Sequence, residues 1–61
     1  MSREQRILEM LRKRALNIEG VAGATGMSRI TASKYLAILE AKGLVHHSEE
    51  GRSKLYSVTK K

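Results

Sequence analysis

Sixty-one residues with no cysteine make one small domain and rule out a disulfide framework or a thiolate metal site; a reducing compartment is allowed. Twelve Lys and Arg against six Asp and Glu give a net charge of +6, which favours polyanionic partners. No apolar run approaches the ~20 residues of a membrane helix, no signal peptide is expected ahead of the fold, and with no Phe or Trp and two Tyr the chain lacks stacking platforms for single strands.

In chain order, the first predicted element is a helix over about residues 3–14. Ser2 and Gln5 have capping-box spacing, Ile7, Leu8, Leu11 and Ala15 mark an apolar face, and Glu9 stands four residues before Lys13 for an ion pair. Arg12-Lys13-Arg14 ends it with the charge sign the helix dipole prefers. A basic membrane-surface helix would share this pattern, but a segment this short and charged reads better as the first core helix.

A second, weaker helix is predicted over about residues 18–24, with Asn17 as N-cap bracketed by Leu16 and Ile18. Val21 and Ala22 are its expected inward residues, and Gly20 and Gly23 suggest a close helix crossing at a propensity cost on the order of 1 kcal/mol each. Gly26 suits a left-handed turn position. The Gly20, Gly23, Gly26 spacing lacks the apolar strand and Gly-Lys-Ser/Thr ending of a phosphate loop, so nucleotide binding is disfavoured.

The third helix, about residues 28–42, organises the rest. Ser28 is its N-cap, Ala32, Leu36 and Leu39 form an apolar stripe, and Gly43 supplies the positive φ that ends helices. The opposite face carries Ile30, Ser33, Lys34 and Ala37, with Arg29 at its edge and Thr31 on the flank. Small side chains permit close backbone approach, a hydroxyl can bond a base edge, and a branched aliphatic can meet a thymine methyl. That face is suited to a major groove.

Beyond Gly43 the period changes to two, and a wing is predicted over about residues 44–59: strands at 44–48 and 54–59 around a polar loop, Glu49 to Ser53. Val45 with His47, and Tyr56 with Val58, share the faces expected to close the core. Successive strand residues point oppositely, so His46-His47 is not a chelating pair. Arg52 and Lys54 are placed for phosphate or minor-groove contacts, with Glu49 and Glu50 beside them to limit engagement. The fold class is α+β: a three-helix helix-turn-helix core with a C-terminal two-stranded β-wing.

Residues 16–59 resemble the winged helix-turn-helix domain of small bacterial and archaeal transcription regulators of the ArsR and MarR-like kind. Thr25-Gly26-Met27-Ser28-Arg29 is similar to the family's inter-helix turn, residues 35–45 to its helix end and wing entry, and Gly51-Arg52 with Tyr56-Ser57-Val58-Thr59 to its wing tip and returning strand. The resemblance implies a DNA-binding module with its third helix in the major groove and its wing on backbone or minor groove. Gly20 departs from the usual polar helix former. The metal-binding cysteines of metal-sensing relatives are missing, and the chain stops at Lys61 before the further helices many relatives use, so it reads as an excised domain or a minimal regulator.

The sequence therefore points to sequence-specific binding of double-stranded DNA, through Ser28, Arg29, Ile30, Thr31, Ser33, Lys34, Ala37, Arg52 and Lys54. No cofactor, metal or catalytic group is expected, and the nucleoid of the cytoplasm is the expected location. A homodimer could form through Ile7, Met10 or Ile38. The rival readings are a protein-interaction adaptor using an apolar patch of Ile30, Ala37 and Ala41, and RNA binding by shape.

Overall fold

In the computed structural model, which describes residues 2–59, three helices are followed by an antiparallel hairpin: α1 (Arg3–Lys13), α2 (Ile18–Thr25), α3 (Arg29–Ala41), β1 (Val45–Glu50) and β2 (Ser53–Val58). Each helix begins on its own polar cap. Ser2 Oγ accepts from the Gln5 amide at 3.1 Å, Asn17 Oδ1 from the Gly20 amide at 2.7 Å, and Ser28 Oγ from the Thr31 amide at 3.1 Å. Such caps satisfy first-turn donors that have no partner within the helix. Gly26 (φ 75°) and Gly43 (φ 78°) supply the left-handed residues after α2 and α3, so the chain can turn without Cβ strain.

The core gathers one stripe from every helix. Ile7 and Leu11 of α1, Val21 and Ala22 of α2, and Ala32, Leu36 and Leu39 of α3 are buried with Val45 and Tyr56 of the hairpin. Leu8, Leu16, Ile18, Met27, Tyr35 and Val58 pack around them, half-buried. Across the described residues, no buried side-chain polar atom lacks a hydrogen-bond partner.

Several expectations are corrected. Ala15 lies beyond α1 and is exposed, because α1 gives way to an extended residue at Arg14. Ile7 is wholly buried at the centre of the core, which removes it as a surface contact for a second copy. No Glu9–Lys13 ion pair forms among the described residues; both side chains belong to exposed positions where solvent screens the attraction, and the α1 carboxylate that does find a cation is Glu4, 3.0 Å from Lys42 Nζ at the end of α3. Nor is another helix the nearest neighbour of either α2 glycine, as a close helix crossing would require. Gly23 faces open space, whereas a Cβ at Gly20 would meet Leu16 and the Asn17 cap at 3.1–3.3 Å.

The hairpin is tighter than its polar loop suggests. Glu49 and Glu50 belong to β1, and the turn is only Gly51-Arg52, with Glu50 paired to Ser53 and Glu49 to Lys54. The ladder runs inward to Val45 opposite Val58, while Leu44 is exposed ahead of β1. A further pairing has no counterpart in the sequence pattern: Leu16 exchanges both backbone hydrogen bonds with Tyr56, at 2.8 and 3.0 Å, on the other edge of β2. A two-stranded ribbon is marginal alone, so this bridge and the burial of Val45 and Tyr56 fix the wing to the helices.

Candidate nucleic-acid interface

Burial of Ala32, Leu36 and Leu39 turns the opposite side of α3 outward by helical periodicity. Ile30, Ser33, Lys34 and Ala37 are all exposed there, Ile30 at 83%. Ser28 and Thr31 are engaged with each other: besides accepting from the Thr31 amide, Ser28 Oγ donates to Thr31 Oγ1 at 3.0 Å. Their hydroxyls thus hold the helix start, and Thr31 is half-buried on the flank.

Arg29 lies where α3 begins beside α2. Its guanidinium is 3.6 Å from the Glu19 carboxylate in the first turn of α2. From there an open cleft of about 410 Å³ runs to the wing, lined by Asn17, Ile18, Glu19 and Arg29 on the helical side and Arg52, Ser53 and Lys54 on the other. The fold thus brings three cations from distant parts of the chain around one cleft, with one carboxylate among them. Ser33, Lys34 and Ala37 are not part of that cleft but continue along α3. Glu49 shares the cross-strand position of Lys54 and so tempers the wing's charge.

Sequence reasoning alone does not single out Glu19, Asn17 and Ile18 as site residues. Asn17 and Ile18 carry a structural signal, as cap and core bracket, and nothing in the local pattern joins Glu19 to Arg29.

The histidines point elsewhere. His46 Nε2 is 3.2 Å from Ser57 Oγ, whereas His47 Nδ1 is 2.6 Å from Glu40 Oε2 and its ring lies 5.2 Å from that of Tyr56. They therefore do not converge on a common ligand, and among the described residues no cluster of three or more His, Cys, Asp or Glu could hold a metal ion. Burial, followed by the charge of Glu40, raises the Tyr56 phenol above its ordinary pKa. No described helix is long and apolar enough to cross a membrane.

Residues 5–47 match the family described as bacterial regulatory protein, arsR family. The chain belongs to the ArsR family. It is 36% identical, over 95% of its length and 54% of the other chain, to a homodimeric winged helix-turn-helix DNA-binding domain from Mycobacterium bovis described as a possible ArsR-family transcriptional regulator, with a TM-score of 0.90. It is also similar to reduced HlyU from Vibrio cholerae, at 27% identity over 98% of this chain and 63% of that one, TM-score 0.90. NolR from Sinorhizobium fredii gives 25% identity, 98% and 60% coverage and a TM-score of 0.90. This ArsR-family chain therefore spans somewhat more than half the length of these three solved relatives. A comparison with curated protein sequences finds no match. The winged-helix fold read from the sequence is thus the fold of a transcription-regulator family, not of an enzyme family.

Proposed function

We propose that this ArsR-family domain binds double-stranded DNA in a sequence-dependent way, as part of a transcription regulator acting on the nucleoid in the cytoplasm. α3 enters the major groove with Ile30, Ser33, Lys34 and Ala37 leading, and Arg29, Arg52 and Lys54 engage the backbone or minor groove on either side of the cleft. The single observation that carries this reading is the convergence of Arg29, Arg52 and Lys54 next to an exposed α3 face of small, hydroxylated and apolar side chains. Cations alone bring a duplex close by releasing its counterions, and groups able to distinguish base edges turn attraction into selection. Ser28 and Thr31 contribute by fixing the first turn of α3 through their mutual hydrogen bonds. The Mycobacterium bovis relative is described as homodimeric and DNA-binding, and we carry both properties to this chain as part of the proposal.

The test is a selection from random duplexes at two salt concentrations, with the parent, Lys34→Ala and Ser33→Ala. Lys34→Ala should weaken binding to every duplex about equally and flatten the salt dependence by about one unit of slope, the effect of removing one cation from a phosphate. Ser33→Ala should instead change which sequences are enriched, reducing discrimination by roughly 1–3 kcal/mol at the base whose edge the hydroxyl meets. If the parent enriches no sequence and its binding vanishes at moderate salt, charge alone explains the interaction, and an adaptor role for the Ile30, Ala37 and Ala41 face takes precedence.

A further inference from the structure

Ile30 is the most exposed large hydrophobic residue of the described chain, and it stands at the second position of α3 rather than in a broad apolar patch. The other two, Leu44 and Leu55, belong to the approach to the wing and to β2. Beside Ile30, a shallow hollow is lined by Ile18 of α2 and by Arg29 and Ser33 of α3. Ile18 is half-buried, its side chain packed against the core, so it forms a fixed apolar edge opposite the free Ile30. The hollow thus has two branched aliphatic walls between a guanidinium and a hydroxyl.

Its surroundings restrict the occupant. Arg29 also lines the neighbouring cleft with Arg52 and Lys54, and the nearby carboxylate, Glu19, is paired with Arg29. Three cations against one carboxylate favour an apolar group that is carried on a polyanion. One large hydrophobic side chain on an otherwise small, polar face offers little to an apolar protein surface, but it matches a single methyl group. In the major groove of a duplex that group is the C5-methyl of thymine, flanked by hydrogen-bonding edges. 5-Methylcytosine carries the same methyl at the same ring position.

We propose that Ile30 and Ile18 form a site for the C5-methyl group of a pyrimidine in duplex DNA, with Ser33 meeting the polar edge beside it and Arg29 holding the adjacent backbone. This rests on the DNA-binding reading above and adds to it the chemical group that is read and the participation of α2. Ile30 is the specificity-determining residue, because its exposed side chain can meet the base directly; Ile18 sets the depth of the hollow.

The experiment replaces thymine by uracil, one position at a time, in the duplex that the full chain enriches. At one position removal of the methyl should weaken binding by about 3–5-fold, the factor that corresponds to about 0.8 kcal/mol per buried carbon. Ile30→Ala should bind thymine and uracil duplexes equally there, and Ile30→Val, which keeps a branched side chain, should retain most of the difference. Cytosine placed at that position should regain a similar factor when it is 5-methylated. Ile30 is exposed, so neither variant threatens the core, and circular dichroism checks this directly. A uracil effect that persists in Ile30→Ala overturns the assignment to Ile30. An enriched duplex in which no thymine methyl matters overturns the methyl site while leaving DNA binding intact. A parent that enriches no duplex overturns both.

Discussion

Arg29 and Glu19 approach to 3.6 Å with 70% and 67% of their side chains exposed to solvent. An ion pair so exposed contributes roughly 0–1 kcal/mol, too little to commit Arg29 to Glu19 when a phosphate is near. The carboxylate nonetheless stands in the cleft that the cations line, where it repels any polyanion. Glu19→Gln should therefore raise affinity for any duplex by about 2–5-fold at low salt, with the gain shrinking as salt screens the charge. Titrations at two ionic strengths with an unrelated duplex measure it. Weaker binding by Glu19→Gln would mean that the pair holds Arg29 in a geometry DNA binding needs.

At the scale of the element, α2 carries two interior glycines, and they are unequal. Gly23 faces open space in a helix interior, so Gly23→Ala should stabilise the domain by roughly 0.4–1 kcal/mol through backbone entropy and helix propensity. Gly20→Ala should give no such gain, because its Cβ would press on Asn17 Oδ1 and on Leu16 at 3.1–3.3 Å, and Leu16 is held by its backbone pairing with Tyr56. Thermal melts of the two variants compare them directly; equal stabilisation by both would show that Leu16 gives way freely.

The wing offers a second element-scale test through Tyr56, whose phenol is buried and lies near the Glu40 carboxylate. Both influences disfavour the phenolate, burial more than charge, so the folded pKa lies above the ordinary 10.0. The unfolded chain therefore ionises first as pH rises. The stability linked to Tyr56 is fully present below the unfolded value, about 10, and is lost as pH climbs through the folded value. Urea midpoints should fall more steeply above about pH 10 for the parent than for Tyr56→Phe. Parallel declines would show that Tyr56 is not protected from ionisation.

These elements also show what a sequence can reveal. The inward stripe Ala32, Leu36, Leu39 and the outward set Ile30, Ser33, Lys34, Ala37 are legible because helical periodicity assigns both faces of α3 at once. The caps at Ser2, Asn17 and Ser28 are legible because capping is a matter of three-residue spacing. The wing's inner strand residues follow from alternation, but its turn is shorter than the polar stretch implies, since Glu49 and Glu50 read as loop although both are paired. The Leu16–Tyr56 bridge joins single residues forty positions apart and leaves no periodic trace. The Arg29–Glu19 pair and the Ile18–Ile30 hollow depend on how α2 crosses α3, which local spacing does not specify.

For the molecule as a whole, size sets the terms of binding. The domain measures 29 × 26 × 20 Å, and its longest axis is shorter than the ~34 Å repeat of one DNA turn. The proposed surface offers Arg29, Lys34, Arg52 and Lys54 to phosphates, so one copy should show a salt slope of at most about −3.6 on a logarithmic scale, or about 0.9 for each phosphate neutralised. Two copies on a two-fold site double that slope and the number of bases tested. Ile7 is sealed in the core, but Met10 and Ile38 are half-buried and keep some surface for a second copy. We therefore expect tight binding to require two half-sites with centres ~34 Å, or about one helical turn, apart. Inserting about half a turn of DNA, roughly 5 base pairs, should place the second half-site on the opposite side of the duplex and reduce affinity to that of one half-site. Fluorescence anisotropy on single, correctly spaced and half-turn-shifted duplexes, repeated across a salt series, reads both quantities. Equal affinity for all three, with the smaller slope throughout, would establish that one copy suffices.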